Sequence, residues 1–225
     1  MLSRRNILRC AGAAFLTLLT LWGLCGCAAA EFLATLGFDT HDYGAEKVIN
    51  EYSEDSEKAA ELCESVKILT VDSPELPQFD GTSQAAKYCR DSVLNYMYNT
   101  GYAKYTGNLE LLSEASEVYP QMKFSVIIPA DDFVNTFYKY FGGKEKVTNK
   151  SGKMFEYLPA VDSYITAAQP QKNETEVTFI SLEETENTFR FTFECAYPGE
   201  SGEKYFALLI KRGDDSCYFK ELKKL

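Results

Sequence analysis

The chain has 225 residues, with 33 acidic against 23 basic side chains, a net charge of −10 and a hydrophobic share of 45%. That share suffices for a packed core, and the length fits one domain with an appended segment or two small domains. The acidic balance argues against broad nucleic-acid binding, whose affinity comes mainly from neutralising phosphates.

The amino terminus reads MLSRRNILRC, with Arg4, Arg5 and Arg9 and no acidic residue before Glu31. An uncharged apolar run, Ala11 to Leu24, follows. A basic stretch ahead of such a run predicts a secretory signal. The next residues, Leu24-Cys25-Gly26-Cys27, resemble the lipobox of bacterial lipoproteins: Leu, a variable residue, Gly or Ala, then Cys. The resemblance implies a signal peptide over 1–26, cleavage before Cys27 and a diacylglyceryl thioether on Cys27. It implies a protein anchored on the extracytoplasmic face of the cell membrane. Two acyl chains at one residue meet the two-signal requirement for stable anchoring. Cys10 to Ala30 is also an uncharged run long enough for a membrane helix, though Gly12, Gly23 and Gly26 weaken that reading. Ser3 to Arg9 is similar to the twin-arginine export motif, so the export route stays open between the general and the twin-arginine pathway.

Residues 28–80 hold 13 acidic residues against Lys47, Lys58 and Lys67. This concentration predicts a solvated acidic tether over 27–81. Ile49, Tyr52, Ala59, Cys63 and Val66 give it a candidate helix at 45–66, interrupted by Ser53 to Ser56. Ser73 to Gly81, with two prolines and a terminal glycine, reads as a linker.

The organised domain is expected over 82–225. Thr82 or Ser83 caps a helix to about Tyr98, with Ala86, Cys89, Val93 and Met97 as its apolar stripe. Asn108 caps a shorter helix that Pro120 ends. Lys123 to Ile128 reads as a strand. Pro129 at the entry, Asp131 and Asp132 in the first turn, and Gly142-Gly143 at the exit delimit a further helix carrying Phe133, Phe137 and Phe141. From Met154 the period becomes 2. Thr188 to Tyr197 alternates strictly, with Phe189, Phe191, Phe193 and Cys195 on one face. Further strands are expected at 155–158, 161–166, 176–182, 204–211 and 217–222, the later ones joined as hairpins.

Helices followed by an antiparallel meander of about four to six strands predict an α+β fold, with helices on one sheet face. The order resembles the NTF2-like and cystatin-like α+β domains in layout alone, since no specific motif accompanies it.

Candidate sites are few. Cys63, Cys89, Cys195 and Cys217 form no short-spaced pair and the only histidine is His41, so neither a zinc site nor another cofactor site is expected. Two disulfides or buried free thiols both fit these cysteines. Asp131-Asp132 complements a helix dipole. Glu183, Glu184 and Glu186 lack the spacing of a calcium loop. Arg212-Gly213-Asp214 spells an adhesion tripeptide, and also what a tight hairpin requires. No nucleophile motif or phosphate-cradling glycine loop is present, so no catalytic residue is assigned. Lys144, Lys146, Lys150 and Lys153 form a basic loop which, with Lys220, Lys223 and Lys224, is a candidate contact for an anionic wall polymer or acidic partner. Tyr88, Tyr96 and Tyr102 are candidates for a tyrosine-lined pocket, to which an enzyme of the NTF2-like sort would add Asp132 or Glu156. Two readings result. The favoured one is a lipid-anchored binding or interaction module of the bacterial envelope, recognising a protein, wall polymer or small ligand, with no nucleic acid. The alternative is an NTF2-like enzyme or small-ligand domain.

Overall fold

A computed structural model of the chain describes residues 42–70, 75–143, 147–169 and 174–225. The chain divides into two units, Met1–Glu46 and Lys47–Leu225, and every element below lies in the second. The expected signal peptide, Cys27 and the first part of the expected tether lie outside the described residues.

The first element is a short strand, β1 (Asn50–Tyr52). Helix α1 (Glu57–Val66) starts where Ser56 Oγ accepts the Ala59 N–H at 3.1 Å. Ser56, at the end of the Ser53–Ser56 interruption of the expected helix over 45–66, is therefore its N-cap, and ahead of it only Asn50–Tyr52 are regular structure, as strand. A single 3-10 turn (Lys67–Leu69) leads on to β2 (Phe79–Asp80). The helix expected over 82–98 is two helices, α2 (Thr82–Tyr88) and α3 (Arg90–Thr100), broken at Cys89 with φ −102° and ψ 3°. A one-turn helix, α4 (Tyr102–Thr106), precedes α5 (Leu109–Val118), where Asn108 Oδ1 accepts the Leu111 N–H at 3.3 Å. Then come β3 (Val126–Pro129), α6 (Ala130–Phe141), β4 (Glu156–Leu158) and β5 (Ser163–Thr166). The last four strands are β6 (Glu176–Glu184), β7 (Thr188–Ala196), β8 (Glu203–Lys211) and β9 (Cys217–Lys224). The protein is α+β, with its helices ahead of the antiparallel meander.

Two sheets form. The larger runs β1-β6-β7-β8-β9-β2, and each of its pairings is antiparallel. The smaller runs β3-β5-β4. Alternation along β7 buries Phe189, Phe191, Phe193 and Cys195 on one face. On β8 it buries Tyr205, Ala207 and Leu209. Helices α1, α3 and α6 share one core with that face, through Leu62 and Val66, Val93 and Met97, and Phe133, Phe137 and Phe141. Phe141 touches Phe79 of β2 at 5.6 Å and Phe219 of β9 at 6.0 Å between ring centroids. A smaller cluster, Ala115, Ile127, Leu158 and Ile165, packs α5 against the second sheet.

Much of the segment expected as tether is thus part of the fold. Residues 47–81 supply both edge strands of the main sheet and the buried side chains Leu62, Val66, Ile68, Leu69, Leu76 and Phe79. Net charge misleads here because the acids sit on exposed positions, while the few apolar residues between them point inward. Leu62→Ala removes a side chain with no exposure and is expected to cost about 2–5 kcal/mol, read as a lower urea midpoint. A midpoint unchanged from wild type would return this segment to a tether.

Strand β1 is also locked to its neighbour by polar contacts. Lys211 Nζ and Tyr52 Oη donate to the two Glu184 carboxylate oxygens, each at 2.6 Å. These bonds, Lys211 first, hold Glu184 below the ordinary carboxylate range. A depressed carboxylate stabilises the fold above its unfolded pKa, about 4.3, and that contribution fades as pH falls through the folded value. The unfolding free-energy difference between wild type and Glu184→Gln is therefore expected to shrink as pH drops from about 6 to about 3. A difference that stays constant over that range would remove Glu184 as the titrating lock.

Candidate functional site

The residues singled out in the sequence are spread over the molecule. Tyr88 of α2 and Tyr102 of α4 are exposed, and Tyr102 lies against Tyr98 at 5.5 Å between centroids. Tyr96 of α3 is half-buried, its hydroxyl 3.2 Å from that of Tyr140. Asp132 pairs with Lys104 at 2.6 Å, and Glu156 is exposed on β4. None of these five lines either of the two hollows described below. An acid–base enzyme would use a carboxyl raised by burial. Among the described residues, the carboxylates with clear shifts all move down: Glu184 by Lys211, Glu203 by Lys224 and Asp214 by the Ser216 hydroxyl.

Of the basic loop, Lys144 and Lys146 lie outside the described residues, while Lys150 and Lys153 are exposed. The segment carrying them is pinned from below. Arg90 Nη2 donates to the Thr148 carbonyl at 2.8 Å, and the Asp91 carboxylate accepts the Lys153 N–H at 3.1 Å. The carboxyl-terminal lysines face carboxylates instead: Lys223 meets Glu221 at 3.1 Å and Lys224 meets Glu203 at 2.6 Å. Their charge is largely neutralised within the sheet.

A groove of about 560 Å³ lies between α1, the end of α6 and the β8–β9 hairpin. Leu209, Phe219 and Cys217 form its apolar part, Tyr138 and Tyr140 its aromatic wall, and Glu61, Glu64 and Asp214 its acidic rim. The sequence places these tyrosines two apart in "YKYFGG": Tyr138 falls off the Phe133-Phe137-Phe141 stripe and is exposed, while Tyr140, three residues past Phe137, packs partly buried against the core. An aromatic on the polar side of an amphipathic helix is the signal that could have found Tyr138.

Arg212 builds the groove's end. Its guanidinium donates to the carbonyls of Tyr138 at 2.6 Å and Lys139 at 3.1 Å, so it caps the carboxyl end of α6. It also lies over the rings of Tyr138 and Tyr218, at 4.9 and 4.8 Å. Gly142 makes room for this stack, because a Cβ there would meet the Tyr218 ring at 2.9 Å and φ is +66°. Asp214 accepts the Ser216 N–H at 3.2 Å and hydroxyl at 2.6 Å. Both charged members of the Arg-Gly-Asp tripeptide are thus hydrogen-bonded within the chain, Asp214 locally in its own exposed turn. A second hollow of about 480 Å³ is lined by Glu75, Tyr197, Glu200, Glu203 and Lys224, with Cys195 among them.

Chemically the groove suits binding. It offers an apolar floor, tyrosine rings and carboxylate acceptors, the arrangement that seats a ligand with an apolar face and hydrogen-bond donors. Its one thiol is a poor nucleophile, since burial pushes Cys217 up to about 11. The four cysteines 63, 89, 195 and 217 are free thiols, and among the described residues no cluster of His, Cys, Asp or Glu could hold a metal ion.

No protein-family model, no curated protein and no solved structure matches this chain.

The Cys217 assignment has a direct readout. In the folded protein with every other cysteine replaced by serine or alanine, alkylation by iodoacetamide at pH 8 is expected to run at least about tenfold slower than in urea. The rate should keep rising about tenfold per pH unit toward about 11, whereas that of the unfolded chain levels off near the ordinary thiol value of about 8.5. Equal rates folded and unfolded would put Cys217 outside the desolvated groove.

Proposed function

We propose that the protein is a lipid-anchored, extracytoplasmic binding module of the bacterial cell envelope, tethered through Cys27 and presenting the 47–225 domain to a partner or ligand. The observation that carries this reading is Leu24-Cys25-Gly26-Cys27, set directly after a basic start and an uncharged apolar run. A cysteine so placed has an address function that needs no further chemistry from the domain. The structural observations are compatible with it. Among the described residues no helix is long and apolar enough to cross a membrane, so membrane attachment would come from the amino-terminal segment.

The groove beside Tyr138 and Tyr140 supports a second, narrower reading, that of a small-ligand domain. It is concave, partly apolar and of ligand size. The tyrosines that line it differ from those singled out in the sequence, but the chemistry is the one expected of a tyrosine-lined pocket.

Intact mass of the membrane-fraction protein tests the address. A chain starting at Cys27 with the added mass of a diacylglyceryl group, lost in Cys27→Ala, is the expected result. A full-length chain without added mass would overturn the lipoprotein reading and make the amino-terminal run a membrane span.

A further inference from the structure

We infer that the open edge of β6, residues Glu176–Ser181, takes up an extended, basic–apolar alternating segment of a protein partner as an added strand. The inference is independent of the lipid anchor and of the groove.

The edge is open because of how β1 ends. Strand β1 pairs with Leu182–Glu184 alone. After Tyr52 the chain turns at once, with the Ser56 N–H on the Ser53 carbonyl at 3.1 Å, and enters α1. Among the described residues no strand pairs with Glu176–Ser181 on that side. Such an edge offers a row of backbone donors and acceptors to another chain. A bulge between Phe179 and Ser181 interrupts it and leaves Ile180 at 41% exposure. At the opposite edge β2 pairs with Glu221 and Leu222, and the Gly81 N–H continues the ladder to the Lys220 carbonyl at 2.7 Å.

The side chains say what would pair there. Residues 174–184 read ETEVTFISLEE, with four glutamates and no basic residue. Val177 and Phe179 pack partly buried on the core face. Alternation therefore puts Glu174, Glu176 and Thr178 on the other face, with Ser181 and Glu183 after the bulge. Glu51 stands directly opposite Glu183 in the β1 register. Glu194 stands opposite Thr178 on the β7 side. Arg190 answers Glu183 at 3.7 Å and Lys211 answers Glu184. The remaining carboxylates, Glu51, Glu174 and Glu176, give both ends of the open edge a negative solvent face.

This charge pattern selects the occupant. A second copy pairing antiparallel over Glu176–Ser181 would bring two acidic edges together with no basic side chain on either. The like net charge of the two edges opposes such pairing. A strand with lysine or arginine on alternate positions meets the glutamates on the solvent face. Its intervening apolar residues extend the core face beside Val177 and Phe179. The backbone ladder supplies affinity and the alternate side chains supply selectivity.

The test uses the full chain in detergent and a fluorescein-labelled peptide, Lys-Val-Lys-Val-Lys-Val, acetylated and amidated. Saturable binding by anisotropy is expected, weakened at least tenfold between 50 mM and 500 mM salt, as the Debye length shortens. Two control peptides, one with glutamate for lysine and one N-methylated at alternate residues, should each bind at least tenfold more weakly. The exposed double variant Glu174→Lys, Glu176→Lys should weaken the lysine peptide likewise, while its urea midpoint stays near wild type. On peptide addition, hydrogen exchange should slow at amides within residues 176–181. Absence of binding, or equal binding of the N-methylated peptide, or protection confined to another segment, would each overturn the inference. Dimerisation of the chain alone with slowed exchange at 176–181 would also overturn it, in favour of a second copy.

Discussion

The alternating face of β7 is the constraint from which the rest of the structure follows. Phe189, Phe191, Phe193 and Cys195 fall on one side of a central strand and must leave water together. Each fully buried phenylalanine contributes roughly 1.5–3 kcal/mol of transfer free energy. The stacked contacts of Phe191 with Phe193 at 5.0 Å and Phe193 with Tyr205 at 5.9 Å add aromatic pairing to it. A two-faced strand of this kind needs a cover on one side only. Helices α1, α3 and α6 provide it, and the other face stays wet, as antiparallel sheets allow.

Where the cover is incomplete, the surface becomes useful. Helix α1 and the end of α6 do not meet over β8 and β9, and the gap between them is the groove floored by Leu209 and Phe219. Arg212 closes one end by donating to two last-turn carbonyls of α6, that of Lys139 and that of Tyr138, which also accepts the Gly142 N–H. The same stack that ends the helix therefore shapes the site. The edge of β6 has a similar origin, because the serine turn that starts α1 also stops β1 after three residues. Both features result from how one helix is begun or ended, so neither is separable from the packing of the core.

Features with a long period or a strong local signal were legible in the sequence. The alternation of β7, the Asn108 cap and the Pro129–Gly142 limits of α6 are fixed by neighbours close in the chain, and the structure has all three. Strands β1 and β2 were not legible, since three and two residues are too few to show a period. Their pairing depends on Leu182–Glu184 and on Glu221 and Leu222, far along the chain. The division into two sheets and the Tyr138–Arg212 groove are tertiary in the same sense. The tyrosine candidates failed for a related reason. Tyr88, Tyr96 and Tyr102 are neighbours in sequence but lie on three different helices, and proximity along a helical chain does not make residues converge.

Both edges of the main sheet come from the segment that precedes the meander, and this ties the fold's completion to its later strands. Glu51 waits for Glu183 and Asp80 for Glu221, so closing these loops fixes more than a hundred intervening residues. Loop-closure cost rises only slowly with length, so stability suffers little, but pairings of such separation form late. The helix cover and the β6–β9 hairpins involve shorter separations and can assemble first. Until β1 arrives, β6 exposes its whole edge, and the glutamates along it then do for the nascent sheet what they do for the finished one. They repel a second acidic copy of the chain while leaving the backbone open. The glutamates of β6, unlike the acidic stretch over 28–80 that reads as a tether, lie along the edge itself, and their charge guards it against a second copy. It can do so without a basic partner because repulsion between copies needs only net charge of one sign.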